Sequence, residues 1–122
     1  MGEGRMRIHA IGIAACLALL AQGIALAQSP DMRSANTVMR GCRDNSKDDV
    51  PAIFLSGYCA GIVRAMFQFS SRLGFCVPDG AEAGQAQRVV VAYIDQRPER
   101  MHETFDFLAL EALRRAWPCR RQ

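Results

Sequence analysis

The chain has 122 residues, half of them hydrophobic, with 15 Lys or Arg against 12 Asp or Glu and a formal net charge of +3. That length suits one small domain and excludes two. The basic residues are nearly all arginine, Lys47 being the one lysine, and no cluster is dense enough to form a nucleic-acid-binding stripe.

Residues 1–27 read as a secretory signal. Arg5 and Arg7 supply the positive start, Ile8 to Leu26 is almost wholly apolar, and Ala25-Leu26-Ala27 is a small-x-small cleavage site that would leave Gln28 as the new N-terminus. An uncleaved anchor is the competing reading, since the stretch is nearly long enough to span a bilayer, but Gln22-Gly23 interrupts it. Ile13-Ala14-Ala15-Cys16 has the shape of a lipidation site, yet the apolar run continues well past Cys16. Removal of the signal leaves a domain of roughly 95 residues, residues 28–122, for which apolar burial alone is marginal. Exported into an oxidising compartment, its even set of cysteines, Cys42, Cys59, Cys76 and Cys119, predicts two disulfides, each worth about 3–4 kcal/mol.

Gln28 to Arg33 reads as a loose leader. From Ser34 a short first helix is expected, capped by Ser34 or Asn36 and ended near Gly41, with Val38 and Cys42 on one face. Arg43 to Asp49 is a polar loop. A second helix follows, capped by Asp48 or Asp49 with Pro51 in its first turn. Its helically spaced Ile53, Phe54, Gly57, Tyr58, Gly61, Ile62, Ala65, Met66 and Phe69 are expected to form the stripe of a central bundle helix. Gly57 and Gly61 would let a neighbouring helix approach within the core; Arg64 and Gln68 argue against a membrane pairing motif.

Ser70 to Gly80 is a connection punctuated by Gly74, Pro78 and Gly80. A third helix is expected from about Ala81 to Arg97, burying Ala86, Val89, Val90, Tyr93 and Ile94. The run Val89-Val90-Val91 has strand preference, but the four-residue spacing of Ala86, Val90 and Ile94 outweighs it. Pro98 should open a fourth helix whose apolar face is Met101, Phe105, Leu108, Ala109, Ala112, Leu113 and Ala116, stopped by Pro118. The fold class is therefore all-α, a small four-helix bundle stapled by two disulfides, with sequential helices antiparallel. A hairpin of the last two helices brings Cys119 toward Cys76, and folding of the first helix along the second lets Cys42 reach Cys59. These bonds are favoured, although four cysteines do not fix their own pairing.

No catalytic constellation emerges. His102 is the one histidine after the signal, beside Glu99, Glu103 and Asp106, and the widely spaced cysteines lack the paired knuckles of a zinc module. Ser56, Ser70 and Ser71 lack a glycine elbow and a partner base, and no Cys-x-x-Cys pair suggests thiol redox chemistry. Asp44, Asp48 and Asp49 read as solvated loop or capping residues. Neither an enzyme nor a metal or cofactor site is expected.

Five blocks, in order, carry a resemblance: Ser34-Ala35-Asn36 followed by Cys42; Gly57-Tyr58-Cys59-Ala60-Gly61; Phe75-Cys76-Val77-Pro78; Val89 to Ile94 with Pro98-Glu99; and Ala112-Leu113 to Trp117-Pro118-Cys119. Together they resemble the Rap/Tai family of bacterial type VI secretion immunity proteins. The chain departs from that pattern at Ala81-Glu82-Ala83, where the family tends to place a better helix cap, and at Trp117, where phenylalanine is usual. The resemblance implies a small, helical, disulfide-linked periplasmic protein, often dimeric, that neutralises a cell-wall amidase by occluding its catalytic cleft.

A cleft-blocking inhibitor needs an exposed projection with a few anchors. The candidates are the Arg43–Asp49 loop and the Ser71–Gly80 connection, with Arg72, Leu73 and Phe75 as anchors on the latter. The blander reading is that Leu73 and Phe75 close the bundle end. A periplasmic stress chaperone of the HdeA type is the alternative function, set back by the absence of lysine-rich tails and by two expected crosslinks where that type has one. A structural subunit of an envelope complex is a third possibility that the residues neither favour nor oppose.

Overall fold

A computed structural model of the protein describes residues 31–43 and 49–120. The expected secretory signal, and residues 44–48 of the expected polar loop, lie outside the described residues. The fold is all-helical: α1 spans Ala35–Arg43, α2 Val50–Gln68, α3 is the single turn Ser70–Leu73, α4 spans Ala83–Asp95, a 3-10 turn covers Pro98–Arg100, and α5 spans Phe105–Ala116. The four main helices are those expected. Among the described residues, α1 packs chiefly on α2, α4 on α5, and α2 on α4.

α1 runs two residues past its expected end, because Gly41 is not its cap. Gly41 lies buried inside the helix, where a Cβ would sit 2.2 Å from the carbonyl carbon of Leu55 and 2.4 Å from the amide nitrogen of Ser56. The absent side chain lets the α1 and α2 backbones touch. The start of α1 is also held by backbone groups. The Ala35 and Asn36 amides donate to the carbonyls of Glu103 and Met101 at 2.9 and 2.8 Å, and the Phe105 amide donates back to Arg33 at 2.8 Å. Helix amides left without intrahelical partners are thus satisfied by the turn before α5. The Ser34 hydroxyl donates to the Asp31 carbonyl instead of capping α1.

α2 begins where predicted, with Asp49 extended before it and Pro51 in its first turn; the Asp49 side chain makes no cap hydrogen bond, and the Ile53 amide donates to the Asp49 carbonyl at 2.9 Å. Its orientation corrects the sequence reading. Leu55, Cys59 and Val63 point inward, while Ile53, Phe54, Gly57, Gly61, Ala65 and Phe69 are exposed. Apolar residues occur all round this helix, so periodicity identifies a helix without selecting its inner face. The contact at Gly41 and the Cys42–Cys59 bond select it. Gly57 and Gly61 therefore line the outside, and among the described residues nothing lies within 4 Å of a Cβ built on either. By length and apolarity, with a mean hydropathy of 1.5, α2 would suffice to cross a membrane; here its inner side packs on α1 and α4.

After Phe69 the chain makes one further turn, α3, closed by Gly74 in the left-handed region at φ 80°. α4 is a helix despite its three valines, and Ala86, Val90 and Ile94 are fully buried at four-residue intervals. The last helix begins later than predicted. Pro98 opens only the 3-10 turn, and α5 starts at Phe105, because the Met101 and Glu103 carbonyls are committed to the start of α1. Phe105, Leu108, Ala109, Ala112 and Leu113 are buried as expected, whereas Ala116 is exposed and Met101 half-buried.

One core forms from these faces, with Met39, Val63, Phe75, Val90, Ile94, Phe105 and Leu108 among its buried side chains. Two disulfides staple it, Cys42–Cys59 and Cys76–Cys119, with Cα separations of 5.5 and 4.8 Å. Both fall within the span a disulfide bridges, and both are the favoured pairings.

Candidate functional site

The α3 end of the bundle is an anchored projection. The Phe75 amide donates to the Ser70 carbonyl at 3.1 Å, and the Cys76 amide donates to the Trp117 carbonyl at 2.8 Å. The Cys76–Cys119 bond and a 2.7 Å hydrogen bond from Arg114 Nε to the Leu73 carbonyl tie the same segment to the end of α5. Trp117 meets Phe67 edge-on, with ring centroids 6.5 Å apart. From this base Pro78, Asp79 and Gly80 stand exposed in a turn closed by the Ala81 amide on the Pro78 carbonyl at 3.1 Å. Gly80 takes φ 78°, a conformation that favours glycine. Beside the turn lies a shallow groove of about 470 Å³, bordered by Arg64, Gln68, Glu82 and Gly84.

The predicted anchors separate here. Arg72 is exposed, Leu73 is half-buried against the core, and Phe75 is fully buried. Phe75 therefore closes the bundle end, while Arg72, part of Leu73 and the turn at Pro78–Gly80 are exposed. The turn was legible in the sequence through Pro78-Asp79-Gly80. The inward rotation of Phe75 had no local signal.

A second groove, of about 690 Å³, runs between the end of α1 and α4, bordered by Arg43, Gln87, Arg88 and Asp95. Arg43 spans it with an ion pair to Asp95, its Nε donating at 2.9 Å, and the Gln87 side chain donates to the Cys42 carbonyl at 3.3 Å. These groups tie the two helices together across the groove.

The 3-10 turn is clamped to α5 by charge. Arg100 donates to both Glu103 oxygens at 2.6 and 2.8 Å and to Glu111 at 2.9 Å, while the Tyr93 hydroxyl donates to Glu111 at 2.7 Å. Hydrogen bonds from Arg100 hold the Glu103 and Glu111 carboxyls below the ordinary carboxylate range, with Tyr93 adding to the effect at Glu111. The same bonds push the Arg100 guanidinium further up. Arg97 lies over the Tyr93 ring at 3.7 Å, a cation–π contact. This network has no catalytic geometry; it fixes the turn that in turn caps α1.

His102 is exposed in the turn before α5 rather than within the helix. Cys42, Cys59, Cys76 and Cys119 are all disulfide-bonded, and among the described residues no three His, Cys, Asp or Glu side chains converge as metal ligands.

No curated protein and no solved structure matches the chain. Residues 34–119 match the family described as Rap1a immunity proteins. That span begins at Ser34, whose bridge to Thr104 joins the start of α1 to that of α5, and ends at Cys119 of the outer disulfide. It covers both staples and every helix named above. The family is one of immunity proteins rather than enzymes, and membership implies a cognate effector toxin as partner; this chain belongs to the Rap1a immunity protein family.

Proposed function

We propose that the protein is exported by a cleaved signal to the periplasm, where it binds a cell-wall amidase effector and covers its catalytic cleft. The observation that carries this reading is the turn at Pro78–Gly80, exposed at its tip and tied at its base by a disulfide and backbone hydrogen bonds. A pre-ordered projection loses little freedom on docking, and that is what a tight inhibitor needs. Arg72 and Leu73 lie beside the turn as further contacts. The same reading includes a homodimer.

A periplasmic stress chaperone is the second reading, favoured by the exposed Ile53 and Phe54. A pull-down from periplasm at neutral pH, combined with inspection of neighbouring genes for a small peptidoglycan-cleaving effector, separates the two. Recovery of such an effector in stoichiometric amount supports immunity. Absence of a stoichiometric partner, with broad suppression of aggregation in acid, overturns it.

A further inference from the structure

The two disulfides sit in different surroundings. Cys42–Cys59 lies in the core, with Cys42 8% exposed and Cys59 fully buried, between the two helices whose backbones touch at Gly41. Cys76–Cys119 lies outside it, and both of its residues are exposed. This outer bond joins the connection before α4 to the short tail after α5, and few other ties hold those two segments. Among the described residues, Pro118, Cys119 and Arg120 make no hydrogen bond. From Cys76 to Ala81 one backbone bond crosses to the end of α5, the Cys76 amide on the Trp117 carbonyl at 2.8 Å, while the bond from Ala81 to Pro78 stays within the turn. The neighbouring ties to the core are stronger. Phe75 is fully buried, Arg114 holds the Leu73 carbonyl, and Trp117 packs edge-on against Phe67. None of these contacts involves a sulfur of the outer bond.

We propose that Cys76–Cys119 is a redox latch, opened by a dithiol protein of the thioredoxin class while Cys42–Cys59 and the helices stay intact, and that its opening frees residues 76–82 and 118–120 from each other. A disulfide is broken by attack of a thiolate on one of its sulfurs, so access governs the rate. The reductant's thiolate bonds to one cysteine sulfur, and the other leaves as a thiolate that takes a proton. The reductant's second thiolate then attacks the mixed disulfide and releases the second cysteine, which is protonated in turn. The protein gains two electrons and two protons, and the reductant leaves as a disulfide. The inner pair is shielded by α1 and α2 and is not reached unless they separate. Opening the latch loosens the turn at Pro78–Gly80, and a segment that must be re-ordered on docking binds more weakly. Only this last consequence rests on the proposed function; the latch itself does not.

The test is hydrogen exchange followed by mass spectrometry on the disulfide-bonded protein, before and after excess reduced thioredoxin, with the freed thiols located by alkylation. Thioredoxin should free Cys76 and Cys119 alone. Amides from Cys76 to Glu82 should then exchange at least about tenfold faster, while those of α1 and of Ala86 to Ile94 keep their protection. Reoxidation with glutathione disulfide should restore slow exchange. A double variant, Cys76→Ser with Cys119→Ser, should show the same local pattern with no reductant present. Release of Cys42 and Cys59 first, resistance of all four cysteines to thioredoxin, loss of protection throughout the helices, or unchanged exchange from Cys76 to Glu82 would each overturn the latch. No effector enters the measurement, so its outcome is separate from that of the inhibition assay.

Discussion

Gly41 and Leu55 are in backbone contact: a Cβ at Gly41 would lie 2.2 Å from the Leu55 carbonyl carbon. One residue later, Cys42 bonds to Cys59 on the next turn of the same helix face. The close approach and the staple together set the rotation of α2, and so decide which of its apolar sides is buried.

Gly41→Ala should therefore force α1 away from α2, lowering stability by about 1–3 kcal/mol, the usual range for overpacking. Gly84→Ala, in the first turn of α4 with only an arginine side chain at 3.9 Å, should instead stabilise by about 0.5 kcal/mol. Urea denaturation of both variants checks the contrast.

The two disulfides should differ in access. Cys42 and Cys59 are buried, whereas Cys76 and Cys119 are exposed. A thiol reductant titrated against the native protein should open Cys76–Cys119 first, read by alkylation and mass spectrometry. Paired serine replacements should cost about 3 kcal/mol for the 17-residue separation and about 4 kcal/mol for the 43-residue one, from loop-closure entropy. Reduction of Cys42–Cys59 first would contradict the burial pattern.

The Arg100 clamp should make the fold acid-sensitive. Glu103 and Glu111 have folded pKa values below the ordinary 4.5. Their contribution is therefore fully present above about pH 4.5 and is lost as pH falls through the depressed folded values. Glu111→Gln should flatten the decline in urea midpoint between pH 5 and pH 3 relative to wild type. Because the clamp is partly solvent-exposed, added salt should shrink the effect.

Much of this fold was legible in the chain. The spacing of Ala86, Val90 and Ile94, and of Phe105, Leu108 and Ala112, identified the inner faces of α4 and α5, because those helices are polar on the other side. Bundle geometry favoured the cysteine pairing without fixing it, and the observed bonds are the favoured ones. α2 misled because it is apolar all round, so the glycines at 57 and 61 read as a core contact when the core contact is Gly41. Pro98 marked a helix start that the backbone hydrogen bonds of Met101 and Glu103 postponed to Phe105. At the α3 end, Pro78-Asp79-Gly80 announced the turn, while the inward or outward rotation of Phe75 depends on the distant α5.

The proposed contact surface yields a separable pair of variants. Arg72→Glu and Asp79→Arg, both exposed, should weaken effector inhibition at least tenfold with little change in unfolding midpoint, as expected of interface anchors. Phe75→Ala should act differently, lowering stability by about 3–5 kcal/mol through loss of a buried ring, with inhibition by the remaining folded protein retained.

The central claim is inhibition of a cell-wall amidase by direct binding, and titration of the purified cognate effector tests it most directly. Peptidoglycan hydrolysis is followed while the disulfide-bonded protein is added at neutral pH. The account predicts a linear loss of activity reaching zero at one binding site per effector, as a slowly dissociating complex gives. Full hydrolysis in the presence of excess protein would contradict it.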